Sequence, residues 1–380
     1  MSNFHKRKWV LIVTLLMFMC FGGVASANTS AFEKPIQEGN YFYTAEDGEA
    51  TIVWYVGSDS KVIIPDILGG FPVTKIGEQS FADSDNIVTV KMPDSINEIG
   101  PKAFIGCSAL KDITLPDNIS IIGEATFSFC PELENVVLPK NLTSIGDGAF
   151  AICHKLDGVI IPPSVTSIGE EAFFKCEGLT SITIPEGVNN LGALAFYGCT
   201  SLIDVVIEEG LPSIQKMAFT YCSNLKNILI KSATTEIFDE DTTIPSTTKI
   251  IASIDSNAKL YSDKYDRQFE VWIDSELMNE IPIKHDVSLN KSWTITFSKN
   301  VSPNSINEDN FYITDTGGEK IPVVVTQGDT KEKVVVTPKA LYQPEKEYIL
   351  FVSNKVKSED QGLEISKGVA MRFVTTNSSQ

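Results

Sequence analysis

Six cysteines, Cys107, Cys130, Cys153, Cys176, Cys199 and Cys222, recur at intervals of 23 residues. In an exported chain such thiols invite disulfides, and with histidines beside them they would invite zinc. Their spacing argues against both. Residues one period apart lie in register on neighbouring coils, about 4.8 Å apart. The Cα separation suits a bridge, but nearly parallel Cβ vectors do not. Only His154 and His285 accompany them beyond the first 27 residues, and no histidine column runs alongside. The expectation is a column of buried, reduced thiols that behave as small apolar groups, with inter-coil disulfides as the rival. His154 follows Cys153 in one repeat without an equivalent elsewhere, so it is read as a surface residue, and His285 has no acid or nucleophile motif near it. No H-E-x-x-H, G-x-S-x-G or phosphate-cradling glycine loop occurs. The acidic stretches Phe238–Thr243, Asn307–Asn310 and Ser358–Gly362 lack EF-hand spacing and are read as solvated loops rather than calcium sites. No catalytic residue, metal ligand or cofactor is expected.

The cysteines are one column of a larger pattern. Seven units follow one another at 73–95, 96–118, 119–141, 142–164, 165–187, 188–210 and 211–233. Phe81, Phe104, Phe127, Phe150, Phe173, Phe196 and Phe219 fill one position, and Ile76, Ile99, Ile122, Ile145, Ile168, Leu191 and Ile214 another. Ser84 replaces cysteine in the first unit, and Gln215 replaces glycine in the last. A catalytic motif need appear only once, whereas a strict recurrence belongs to architecture. In Leu179–Pro185, Ile182 and Ile184 alternate as the inward residues of a short strand, and Pro185 ends it. The Ile168-Gly169 pair then reverses the chain, with glycine supplying backbone angles closed to other residues. The "EEAFFKC" segment is read as a brief helical turn that plugs Phe173 inward. One coil cannot bury its phenylalanine alone, so stability comes from stacking.

The pattern Ile168-Gly169, Ala172-Phe173, Cys176, Leu179, Ile182, Ile184-Pro185 resembles the bacterial BspA-type leucine-rich repeat family over residues 73–233. This implies a mainly β fold with short helical turns, a leucine-rich-repeat solenoid with caps at both ends. Residues 28–72 read as a linker and N-terminal cap, and 234–273 as a C-terminal cap in which the period decays into a short helix at "SNAKLYSDKYDRQF". A linker is expected at 274–281. Residues 282–377 then hold short alternating strands, with Gly317-Gly318 as a hairpin signal, and suggest an Ig-like β-sandwich. Thr296-Phe297-Ser298, Thr337-Pro338, Tyr348 and Phe373-Val374-Thr375 resemble the SbsA-type bacterial Ig-like domain.

The first residues belong to neither domain. His5–Lys8 is basic, Trp9–Val24 almost wholly apolar, and Ala25-Ser26-Ala27 offers small residues for cleavage, so 1–27 reads as a signal peptide cut after Ala27. Losing Lys6, Arg7 and Lys8 with it takes the net charge from −18 to −21. Such acidity repels phosphate backbones and anionic headgroups, so neither nucleic acid nor direct bilayer binding by the mature chain is expected.

Between the inward residues of each repeat strand lie outward ones. One column is Lys91, Thr114, Val137, Ile160, Thr183, Val206 and Leu229; its neighbour is Thr89, Asp112, Asn135, Gly158, Ser181, Asp204 and Asn227. An apolar stripe beside a polar one suits a protein or glycan partner on host, matrix or cell wall. The expectation is a secreted or cell-surface, non-enzymatic recognition protein, adhesin-like by resemblance. The rival reading is a structural or wall-associated protein without a soluble ligand.

Overall fold

The computed structural model describes residues 34–377. The expected signal peptide, 1–27, lies outside them. Among the described residues the one α-helix is Asn257–Lys264, and no helix is long and apolar enough to cross a membrane. The rest is a β-solenoid of about 10 turns followed by a β-sandwich.

Each regular turn contributes two short strands. One is centred on the inward isoleucines, as in Ser181–Ile184, and pairs in parallel with the next coil at Asp204–Ile207 and then Asn227–Ile230. The other ends on the isoleucine before glycine, as in Ser144–Ile145, Ser167–Ile168 and Asn190–Leu191, again in parallel register. Parallel pairing at one-coil offsets stacks identical columns. All seven repeat phenylalanines are fully buried, with adjacent ring centroids 4.9 to 5.5 Å apart and nearly parallel planes.

Both ends of that aromatic column are closed. Tyr55, from the N-terminal strand Glu49–Tyr55, stacks on Phe81 at 5.1 Å. Beyond Phe219 the core continues through Ile244 and through Ala258 and Tyr261 of the helix. Tyr261 also donates its hydroxyl to the Glu240 carbonyl at 2.8 Å. The parallel sheet itself runs on into the caps. Lys61–Ile63 pairs with Thr89–Lys91 across a longer, 28-residue step, and Lys249–Ala252 and Phe269–Val271 extend the other end.

Three details differ from the sequence reading. The segment around each phenylalanine is a run of i→i+3 turns, Phe174 N–H to Glu171 C=O and Cys176 N–H to Phe173 C=O among them, and not a helix. Left-handed residues flank each Phe two positions before and after, such as Glu171 (φ 56°) and Lys175 (φ 54°), which prevents helical continuation.

The glycines after isoleucine have no left-handed φ. They are needed because coils touch there: a Cβ on Gly169 would stand 2.5 Å from the Asp147 nitrogen, and one on Gly192 2.3 Å from the Glu170 nitrogen. At the last regular coil Gln215 keeps the turn, its carbonyl accepting from Ala218 N–H at 3.2 Å, and its side chain is exposed.

The expected linker, 274–281, enters a strand at Met278. That strand, Met278–Val287, pairs in parallel with Gly368–Thr375. It belongs to a five-stranded sheet with Glu347–Val352, Phe311–Asp315 and Lys320–Ile321, opposed to a three-stranded sheet of Trp293–Thr296, Lys333–Pro338 and Val323–Gln327. Trp293 against Phe373, at 4.9 Å, and Tyr342 and Tyr348 fill the space between them. The Gly317-Gly318 hairpin forms as expected, with Ile313 opposite Ile321 and Gly318 at φ 79°.

The five-stranded sheet is buried on its outer side too. Tyr312, Ile349, Phe351 and Ala370 pack on Val271 and Phe269 from the end of the solenoid sheet. Val271 N–H donates to the Thr316 carbonyl at 2.9 Å, and Arg372 reaches the Val271 carbonyl at 3.4 Å while paired with Glu347 at 2.9 Å.

Candidate functional site

The thiols are free and wholly buried. They do more than fill space. Each Sγ donates to the carbonyl of the phenylalanine 26 residues earlier, from Cys107 to Phe81 (3.2 Å) through to Cys222 and Phe196 (3.1 Å). The Phe N–H goes to the next coil, as Phe150 donates to Ala172, while its carbonyl turns back to accept the N–H three residues on, as Phe150 accepts from Cys153 at 3.3 Å. The thiol of the next coil adds a second donor to that carbonyl, and burial pushes the Cys153 and Cys176 thiols well up. Ser84, in the first repeat, has no earlier repeat phenylalanine to reach. These groups are structural: a protonated, enclosed thiol is a poor nucleophile.

The acidic clusters are used locally. Asp239 pairs with Lys264 of the capping helix and accepts from the Tyr265 hydroxyl at 2.9 Å, contacts that hold its carboxyl below the usual range. Asn307 closes its own loop by accepting from the Asp309 and Asn310 N–H groups. Among the described residues no three metal-ligating side chains gather. His154 is partly exposed, 3.7 Å from the Glu177 carboxylate, and His285 is exposed. On the turn flank a depression of about 450 Å³ is lined by Glu124, Asp147, Phe129 and Phe174, but Glu124 pairs with Lys102 at 2.7 Å and Asp147 accepts from Glu170 N–H.

The outward strand columns are in register as expected. Thr183, Val206 and Leu229 align across one sheet, and Val137 aligns with Thr114 across another. Lys91, Thr114, Val137, Ile160 and Thr183 are exposed; Val206 and Leu229 are half-buried. In the polar column Asp112, Asn135, Ser181 and Asp204 are exposed, Asn227 half-buried.

Two features were not foreseen. The stripe is longer: Ile63, 70% exposed, aligns with Lys91, and Ile251 aligns with Leu229. The "KVIIP" sequence at Lys61 already carries the strand signature, obscured by the longer step that follows it. The stripe is also broken in the middle. Residues 157–161 form no strand, since Gly158 (φ 73°) departs from extended geometry, and Ile160 stands out at 83% exposure beside Val137 at 58%.

Family models match both parts of the chain. The model of the BspA type leucine rich repeat region, in six copies, matches residues 60–168 and 144–253. The chain belongs to the BspA-type leucine-rich repeat family. A bacterial Ig-like domain model matches residues 282–375, and neither family is one of enzymes. Among solved structures, a T. pallidum leucine rich repeat protein is 22% identical, covering 62% of this chain and 98% of its own, with a TM-score of 0.42. A leucine rich cell surface protein from Faecalibacterium prausnitzii is also 22% identical, covering 65% of this chain and 97% of its own, with a TM-score of 0.37. No curated protein sequence matches the chain.

Proposed function

We propose that this is an exported, surface-associated recognition protein, without enzymatic activity, that holds a protein or glycan partner on its solenoid strand face. One observation carries the reading: aliphatic side chains recur along the exposed strand side of the solenoid, with Val137 on its sheet and Ile160 at the break both more than half exposed, and a row of hydrogen-bonding residues beside them. Within the repeat strands the alternate apolar residues, such as Ile182, Ile184, Val205 and Ile207, are buried, so on this face the outward aliphatics are the ones left to meet a partner. The basic, apolar and small-residue order of 1–27 supports export.

Arrays of matrix proteins, cell-wall fractions and glycans probed with the purified chain test it. Saturable binding is expected that falls at least tenfold in Val137→Glu/Ile160→Glu with the melting temperature unchanged. Binding indifferent to that double substitution, or turnover of a substrate by the chain, contradicts the reading.

A further inference from the structure

The polar row contains a second, longer period. Thr89, Asp112 and Asn135 align on three adjacent strands, and Ser181, Asp204 and Asn227 repeat the same order four repeats later. In both sets the asparagine Nδ2 donates to the aspartate Oδ1, at 2.7 Å for Asn135–Asp112 and 2.8 Å for Asn227–Asp204. The correspondence extends off this face: Gly106 matches Gly198, and Phe129 matches Tyr221, all at left-handed positions. The break at Gly158 places each triplet in a sheet of its own.

Once each amide has donated inward along the row, what a triplet offers is acceptors. These are the other carboxylate lone pairs, the amide oxygen, and a hydroxyl that can act either way. The complementary ligand is rich in O–H or N–H donors.

Charge narrows the choice. Asp112, Asp204 and Glu270 share the two rows with Lys61, Lys91 and Lys249, the last paired with Glu270 at 2.8 Å, so the rows carry no excess of negative charge although the whole chain stands at −18. A cationic partner is therefore not selected here. Next to the acceptors lies C–H surface, with Val137 two residues from Asn135 and Val206 two from Asp204 on the same outward side. Donor edges and an apolar face in one uncharged molecule describe a sugar ring.

We propose that the strand face takes a neutral glycan polymer, with one segment on each triplet. This rests on the strand face being the binding surface. Four coils at the usual strand spacing put the triplets about 19 Å apart. A repeating polymer can then occupy both, and the second contact becomes intramolecular and gains avidity.

The test uses neutral oligosaccharides of graded length, cut from chitin-, mannan- and glucan-type polymers, titrated against the whole chain by calorimetry. With one polymer type, affinity is expected to rise at least about tenfold once the oligomer can span both triplets. Asp204→Ala should abolish that rise and leave short-oligomer binding in place. Asp112→Ala/Asp204→Ala should lose binding at every length with unchanged melting. The proposal is overturned if no neutral oligomer binds, if affinity ignores length, or if the double variant binds like its parent. If a protein partner then proves sensitive to Val137→Glu/Ile160→Glu, the glycan assignment alone has failed. If nothing binds the strand face, the broader reading has failed too.

Discussion

The Sγ of Cys176 donates to the carbonyl oxygen of Phe150 across 3.2 Å, joining one coil to the next through the two residue types that recur most strictly. Phe150 is held to the same neighbouring coil by its N–H, which donates to Ala172 at 2.8 Å. The repeat is thus a hydrogen-bonding code as well as a packing one.

Buried thiols make stability fall at alkaline pH. Burial raises the folded-state values of Cys153 and Cys176 well above that of an ordinary thiol, while in the unfolded chain both ionise near the ordinary value of about 8.5. Above that value the unfolded state binds fewer protons than the folded one, so stability is fully present below about pH 8.5 and declines as pH rises beyond it. Melting curves taken below and above that range should show a drop in the parent chain that is smaller in Cys153→Ala/Cys176→Ala. An equal drop in both would contradict the linkage.

Replacing Gly169 tests the coil-to-coil approach. Gly169→Ala forces a Cβ against the Asp147 nitrogen and should cost about 1–3 kcal/mol, the range for overpacking a close-packed site. Gln215, at the equivalent position of the last regular coil, is already tolerated, so Gln215→Ala should shift the denaturation midpoint hardly at all. Equal sensitivity at both sites would mean that close approach between coils is not what selects glycine there.

The sandwich and the end of the solenoid should unfold together. Val271 is buried among Tyr312, Ile349, Phe351 and Ala370, and its backbone bonds to Thr316. A glutamate there places an unpaired charge in that contact. Calorimetry should show the sandwich melting with the C-terminal coils in the parent chain and as a separate transition in Val271→Glu. A parent chain whose sandwich already melts separately refutes the coupling.

The interior was legible because burial repeats a side-chain type as strictly as the backbone repeats a position: Phe173 and Cys176 need only be aligned with Phe150 and Cys153 to be placed. Contacts between coils were not. The glycine role went to φ rather than to approach because a Gly169–Asp147 contact spans a whole coil, and the thiol donor was hidden because its acceptor is a backbone atom. Ile160 was read as one member of an even stripe, since nothing in "DGVIIPP" distinguishes a paired strand from one interrupted at Gly158. The docking of Phe351 escaped for a related reason. The run Glu347–Val352 is buried on both sides, and an unbroken apolar strand announces two covers without naming either.

Native-state alkylation with site assignment by mass spectrometry tests the stacked column most directly. The account predicts that Cys107, Cys130, Cys153, Cys176, Cys199 and Cys222 all stay unlabelled in the folded chain and all label as free thiols once it is denatured. Rapid labelling before denaturation, or any pair of them recovered as a disulfide, would contradict it.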